Sequence, residues 1–302
     1  MVRKLGRYFG KYMDGIGTFK GMDKNHFHFY NLGGVQGLNF SSTRTIDPAF
    51  SNLGVNSITS GFYANKALDS GRTNLFDKGQ VTVLFTKINI QSGPIKSAIS
   101  MDFAPGGISD WAFSRLIISS KFEQVSGRVG TRARGFIGRT WADKKGIPSQ
   151  ERFTVEGAGS GDMYRYSFLR DESSFYGDSS LRYRYHLAGD GNLRSFSNQG
   201  FVGVEQISSI TIEPFFNQYI SKLKLELAGF LDFGTLTGSK FNQGDRGFSS
   251  PLLISYGFGI RLSQTIYGQP LYLRIDKPLS ATVNGITIEN MNNWIFSFQK
   301  SI

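Results

Sequence analysis

The last third of the chain, about Gln218 to Ile302, has a hydrophobic alternation of period two. Between Lys222 and Gly234, apolar residues occupy every second position for most of the stretch. The apolar set is Leu223, Leu225, Leu227, Leu231 and Phe233, and the set between them is Lys222, Lys224, Glu226, Ala228 and Asp232. Because successive side chains of a β-strand point to opposite faces, this pattern predicts a strand with one apolar and one polar face.

The same alternation recurs in Leu252 to Leu262, Leu271 to Lys277 and Trp294 to Gln299. Strands of soluble proteins usually have about five or six residues, whereas a tilted strand that crosses a bilayer needs roughly nine to eleven. Three of the four stretches reach or approach the larger length. Length therefore favours strands that cross a membrane.

The polar faces of these strands carry many charges. They include Lys222, Lys224, Glu226, Asp232, Arg261, Arg274 and Asp276. A soluble β-sandwich would have to bury them, and charged residues are almost never fully buried unless they are paired. A wet lumen accepts them, so the sequence predicts an all-β, transmembrane antiparallel β-barrel of the outer-membrane type, located in the bacterial outer membrane.

Composition agrees with one barrel domain over residues 1–302. The chain has 37 glycines, 27 phenylalanines and 13 tyrosines, yet only 39% hydrophobic residues. No apolar run approaches the roughly 20 residues of a membrane-spanning helix. The N-terminus is basic but lacks the apolar core of a signal peptide, so we expect a processed or truncated chain. Residues 1–75 carry the weakest pattern.

The middle of the chain predicts an up-and-down meander. Strands are expected at Gly79 to Gln91, Ala98 to Phe103, Trp111 to Phe122 and Arg128 to Trp141, with short turns between them. The glycine-rich stretch 142–178 does not fit and is predicted to be a long inserted loop. Alternation resumes after it, with Arg182 and Arg184 on the inner face.

Nothing in the sequence indicates catalysis or a cofactor. The net charge of +11 comes from basic residues interspersed with apolar ones, which argues against nucleic acid, and there is no cysteine. The stretch Gly157 to Gly161 lacks the context of a phosphate loop or nucleophile elbow, and His26 and His28 have no third ligand at a suitable spacing. We expect no enzyme, no metal site and no cofactor.

An ordered set of motifs in the second half resembles a known family. It comprises Arg152-Phe153, Glu156-Gly157, Tyr164-Arg165-Tyr166, Gly177-Asp178, Leu181-Arg-Tyr-Arg-Tyr185, Gly229-Phe-Leu-Asp-Phe-Gly234, Tyr256-Gly-Phe-Gly-Ile-Arg261 and Leu273-Arg-Ile-Asp276. From about Arg128 to the end, the chain is similar to the barrel of the bacterial surface antigen superfamily, which includes the BamA and TamA assembly factors and two-partner secretion transporters.

The resemblance implies that the long loop folds into the lumen and docks an Arg-Gly-Phe/Tyr tip onto a Phe-x-Asp-x-Gly strand. Here that strand provides Phe230, Asp232 and Gly234, and the tip is predicted at Tyr164, Arg165 and Tyr166. The glycine after Arg165 is missing, and Arg182 stands where the family usually has a glutamate. We expect Arg165 to pair with Asp232 or with another lumen carboxylate, Glu226 or Asp276.

The resemblance implies protein translocation or membrane-protein assembly without covalent chemistry. The expected partners are outer-membrane lipid, lipopolysaccharide, client polypeptides and other envelope proteins. A passive channel, or a membrane anchor for an enzyme domain encoded upstream, is the alternative. A soluble β-rich binding protein is the third possibility and would have to bury Lys222, Lys224 and Arg274.

Overall fold

A computed structural model describes twelve stretches of the chain. They are residues 3–4, 11–17, 24–32, 35–46, 54–67, 77–155, 190–196, 204–220, 223–237, 250–266, 269–288 and 294–300. Regular structure in these stretches consists of β-strands and one 3-10 turn, Ser149–Glu151. Among the same residues, no helix has the length and apolar character needed to cross a membrane.

The strands follow one another along the chain and in space. They are β1 Arg3–Lys4, β2 Lys11–Gly17, β3 Lys24–Leu32, β4 Val35–Thr45, β5 Val55–Ala67, β6 Gly79–Ser92, β7 Ile95–Ala104, β8 Phe113–Ser126, β9 Val129–Ala142, β10 Gln206–Ile220, β11 Leu223–Thr237, β12 Leu252–Ile266, β13 Gln269–Val283, β14 Ile286–Thr287 and β15 Ile295–Lys300. Each strand from β1 to β14 is hydrogen-bonded to the next, and β15 pairs with β13. The registers of β1 to β7 and of β10 to β15 are antiparallel. The predicted all-β antiparallel meander is confirmed.

The chain forms two compact units. One consists of Met1–Ser119 and Arg139–Glu151, and the other of Ser120–Gly138 and Arg152–Ile302. We call them the first and the second unit. Strands β8 and β9 each contribute residues to both.

In the second unit, β10 exposes apolar residues and buries mainly polar ones, the inverse of the pattern of a strand in a soluble protein. The buried positions are Ile207, Ser209, Thr211, Glu213, Phe215 and Asn217. Between them, Ile210 is 54% exposed, and Ile212 and Phe216 are exposed as well. An apolar exposed face and a largely polar buried face are typical of a barrel strand with lipid outside and a polar interior.

The first unit contains the same inversion and a small apolar core. On β7, Met101 and Phe103 are exposed, whereas Asp102 between them is buried. A buried cluster consists of Val81, Val83, Ala104, Trp111 and Phe113, with Tyr63 packed against it. Of the three tryptophans, Trp111 is therefore a packing residue, while Trp141 and Trp294 are exposed.

The strands are longer than the sequence alternation predicted. Strands β11, β12 and β13 each have 15 residues, and so does β10, which was not among the predicted strands. The predicted loop 142–178 begins where β9 ends, and its described part, to Val155, contains the 3-10 turn. The rest of that loop and the strand predicted at Ser180 to Leu187 lie outside the described residues.

Candidate functional site

Strands β10 to β13 place a row of charges of both signs on one largely buried face of the second unit. Glu226 of β11 lies directly across from Arg261 of β12, which in turn lies across from Arg274 of β13. Side chains that face each other on antiparallel strands point to the same side and are close enough to interact. We call the resulting set the buried charge cluster. Its members are Arg132, Glu213, Lys224, Glu226, Asp232, Arg261, Arg274 and Asp276.

A short irregular segment, residues 190–196, enters this cluster. The segment is tied to the stretch that follows the 3-10 turn: Gly191 and Leu193 donate backbone hydrogen bonds to the carbonyls of Thr154 and Val155, both at 2.9 Å. Asp190 adds a further contact to the same stretch: its carboxylate accepts a hydrogen bond from the backbone N–H of Thr154 at 3.0 Å. These hydrogen bonds position residues 190–196 so that Arg194, whose side chain is only 1% exposed, lies within the buried charge cluster.

Arg194 binds Asp232 in the bidentate geometry that matches a guanidinium to a carboxylate. Its Nε and Nη2 donate to the two carboxylate oxygens at 2.8 and 2.6 Å, and its backbone N–H adds a bond of 3.2 Å. Asp232 is fully buried. Charge-assisted bidentate pairs are among the strongest hydrogen-bonded contacts in proteins, and their geometry fixes orientation as well as distance.

Further carboxylates surround the same guanidinium. Nη1 of Arg194 donates to Glu213 at 2.7 Å and lies 3.6 Å from Asp276. Burial by itself lowers the pKa of Arg194, but the Asp232, Glu213 and Asp276 carboxylates outweigh it, so the pKa lies above its ordinary value. Arg194 therefore stays charged, and its partners hold it as a cation.

The segment docks on three residues of one face of β11, Phe230, Asp232 and Gly234, which we call its seat. The ring of Phe230 lies under the guanidinium, 3.7 Å from ring centroid to Arg194 Cζ, in cation–π geometry. Asp232 binds the charge, and Gly234 leaves room for Leu193, because a Cβ at position 234 would overlap the Leu193 side chain. The Phe-x-Asp-x-Gly motif is thus a complementary surface for residues 193 and 194.

Ser255 closes the site from the neighbouring strand β12. Its hydroxyl donates to the backbone carbonyl of Arg194 at 2.8 Å and lies 3.3 Å from an Asp232 oxygen. Ser255 lies opposite Asp232 in the β11–β12 register. Two adjacent strands therefore hold both the side chain and the backbone of Arg194.

Ser195 has a backbone conformation that favours glycine. Its φ is +84°, in the left-handed region that L side chains rarely adopt. The tip implied by the family resemblance is Arg-Gly-Phe/Tyr, and the docked segment reads Arg194-Ser195-Phe196. If the resemblance is followed, Ser195 stands where the tip has its glycine.

The predicted site residues have different outcomes. Phe230, Asp232 and Gly234 contact the docked segment. Arg261, Arg274 and Asp276 lie in the buried charge cluster. Lys224 also belongs to this cluster and lies 3.8 Å from Glu226. The arginine that binds Asp232 is Arg194. The residues predicted as the tip, Tyr164, Arg165 and Tyr166, lie outside the described residues, as do Arg182, Arg184 and Lys222.

Sequence reasoning missed Arg194, Glu213 and Arg132. Glu213 accepts hydrogen bonds from Arg194, Arg261 and Arg274, and Arg132 binds Glu226 through both terminal nitrogens and stacks on Phe215. The alternation of Ile210 and Ile212 with Thr211 and Glu213 was a detectable signal for β10. The sequence Arg-Ser-Phe was a detectable signal for the tip.

The arrangement binds a peptide segment rather than a small molecule. The contacts of Arg194 described above are noncovalent and come from the wall of one sheet. Within the described part of the chain, no group of three or more His, Cys, Asp and Glu side chains is placed to hold a metal ion.

Comparison with known proteins gives a match at the level of the fold. No family model matches the chain, and no curated protein does. Among solved structures, the chain is similar to BamA from Haemophilus ducreyi lacking POTRA domains 1-3, with a TM-score of 0.53 and 12% sequence identity. The match covers 96% of this chain and 65% of the BamA chain, so this chain spans less than two thirds of the length of the protein it matches. The chain has the all-β antiparallel fold of a BamA-type barrel.

Proposed function

We propose that the chain is a bacterial outer-membrane barrel that acts in protein translocation or membrane-protein assembly without covalent chemistry. The similarity to BamA supports the fold. The exposed apolar faces of β7 and β10 support contact with outer-membrane lipid and lipopolysaccharide. Client polypeptides and other envelope proteins are the expected macromolecular partners.

The observation that carries this proposal is the docking of Arg194 on Asp232. A segment held by a bidentate ion pair, a second carboxylate, an aromatic ring and a serine hydroxyl is a specific lock. Since the contacts of the lock are all noncovalent, it can be opened and closed. An opening lock serves a barrel that must admit or release a polypeptide, whereas a passive channel has no use for it.

The proposal is tested with proteoliposomes that contain the purified chain. We expect them to accelerate the membrane insertion of an unfolded outer-membrane barrel protein relative to empty liposomes. Arg194→Ala should change that rate and raise the ion conductance of planar bilayers. Arg128→Ala is the matched control, because Arg128 is exposed and, among the described residues, its side chain bonds only to Gln218, at 3.3 Å.

Two results would assign the chain to the alternative functions. Conductance without any effect on insertion would make it a passive channel. Neither activity in a correctly folded barrel would favour a membrane anchor for another domain. If Arg194→Ala does not fold, Ser255→Ala removes one hydroxyl contact to the same segment and is used instead.

A further inference from the structure

A second cluster of polar side chains, centred on buried and half-buried groups, lies in the first unit and shares no residue with the Arg194 site. Its centre is Arg115 of β8, which donates to one oxygen of Asp102 on β7 through Nε at 2.9 Å and Nη2 at 2.6 Å. Nη2 also lies 3.1 Å from the hydroxyl of Tyr63 on β5. Three strands therefore present a guanidinium, a carboxylate and a phenol at one place.

These groups converge on the turn that follows β9. The Tyr63 hydroxyl donates to a carboxylate oxygen of Glu151 at 2.6 Å, and Arg115 Nη1 donates to the backbone carbonyl of the same residue at 2.8 Å. Arg115 also lies 3.4 Å from the Glu151 carboxylate. Glu151 is thus held through both its side chain and its backbone.

Asp77, two residues before β6, holds the other end of the turn. Its carboxylate accepts bonds from the backbone N–H and the hydroxyl of Ser149 at 2.8 and 3.0 Å. Its backbone N–H donates to the Gln150 side chain at 3.1 Å. Each residue of the 3-10 turn Ser149–Glu151 therefore has a partner in the first unit.

We propose that Tyr63, Asp77, Asp102 and Arg115 form a second docking site, which fixes the turn Ser149–Glu151 as the root of the connection that leads along the chain to Arg194. The proposal rests on the proposed function, because it assigns a fixed end to the segment that the lock releases. The two sites share no residue, so a substitution in one is expected to act on that site without acting on the other. The root site uses β5, β7, β8 and Asp77, whereas the tip site uses β10 to β13. Release of Arg194 leaves the turn Ser149–Glu151 bound.

The chain contains no cysteine, so a single introduced thiol reports on one place only. Ile147 is 3% exposed and lies two residues before the turn. We would label Ile147→Cys, the root reporter, with a maleimide in detergent-solubilised, folded protein. A separate variant, Ser195→Cys, is the tip reporter, since the Ser195 hydroxyl is buried.

We expect Arg115→Gln to raise the labelling rate of the root reporter by at least about tenfold, because loss of the buried charged contacts lets the turn open locally. Tyr63→Phe should raise it less. Arg194→Ala should leave the root reporter protected and expose the tip reporter. Arg128→Gln, which changes an exposed arginine, should alter neither rate.

Two results overturn the root site: protection of the root reporter that survives Arg115→Gln, or protection that is lost in Arg194→Ala to the same extent as in Arg115→Gln. If Arg115→Gln prevents folding, Tyr63→Phe decides, since it removes only one hydroxyl. The tip lock is judged separately by the tip reporter. If that reporter stays protected in Arg194→Ala, the lock fails, while the dependence of the root reporter on Arg115 still decides the root site.

Discussion

At the scale of the residue, the lock depends on a buried charge that is fully paired. Arg194 and Asp232 are both removed from water, and a buried ion pair gains its stability only when geometry and hydrogen bonds offset desolvation. Here both carboxylate oxygens, the guanidinium face and the backbone are engaged. Loss of the Asp232 charge removes the bidentate partner of a buried guanidinium, which then keeps its contacts to Glu213 and Asp276.

Asp232→Asn should therefore be strongly destabilising. We expect a loss of about 3–5 kcal/mol in the free energy of unfolding, as for other buried pairs broken from one side. Glu123→Gln is the control: Glu123 pairs with Arg132 at 3.2 Å but its side chain is 53% exposed, so its loss should cost no more than about 1 kcal/mol. Urea titration of protein folded in lipid vesicles measures both. Equal midpoints for the two variants would contradict the buried pair.

Ser195→Gly should stabilise the protein. A non-glycine residue at φ +84° stores backbone strain, which costs of order 1–3 kcal/mol. The Ser195 hydroxyl has no hydrogen-bond partner among the described residues, so glycine forfeits no bond there. The larger entropy of glycine in the unfolded chain offsets part of the gain, and we expect a net increase of about 1 kcal/mol. A lower urea midpoint than wild type would show that Ser195 is not strained.

At the scale of the element, alternation determines what a strand presents to each side. Leu223–Thr237 was predictable because its apolar residues keep strict phase over most of the strand. In β10, by contrast, the buried face contains Ile207 and Phe215 beside Glu213, so both faces are partly apolar and the contrast is weaker. The Phe-x-Asp-x-Gly seat was predictable from strand phase and the family resemblance. The arginine that docks on it, Arg194, was not predicted, because Ser195 follows it where the expected tip motif has a glycine.

Ile212→Arg should impair folding in a bilayer. Ile212 lies on the exposed face of β10, and a lipid-facing arginine costs about 2–4 kcal/mol near the midplane, with less near the interfaces. Ile212→Leu, which keeps an apolar side chain, should fold like wild type. Folding yield into vesicles, read from the heat-modifiable band on gels, compares the two. Equal yields would mean that this face does not contact lipid.

At the scale of the whole molecule, the fold and the exposed apolar residues predict a protein that requires an amphiphile. We expect the chain to partition into detergent micelles and to give a circular dichroism spectrum of β type. Its fold places charges on the buried face and apolar side chains on the exposed face, which water alone does not solvate well. A monodisperse monomer in buffer without detergent, measured by light scattering, would contradict a membrane barrel.

The sharing of one Glu213 oxygen, Oε1, by two arginines has a consequence for the wall when the segment leaves. Glu213 Oε1 accepts a hydrogen bond from Arg194 and another, at 2.6 Å, from Arg274, which also binds Asp276. Without Arg194, the acidic and basic members of the cluster balance in formal charge. The acidic members are Glu213, Glu226, Asp232 and Asp276, and the basic members are Arg132, Lys224, Arg261 and Arg274. A departing segment would therefore leave behind a wall without net formal charge, in which Glu213 keeps Arg274 as its counter-ion.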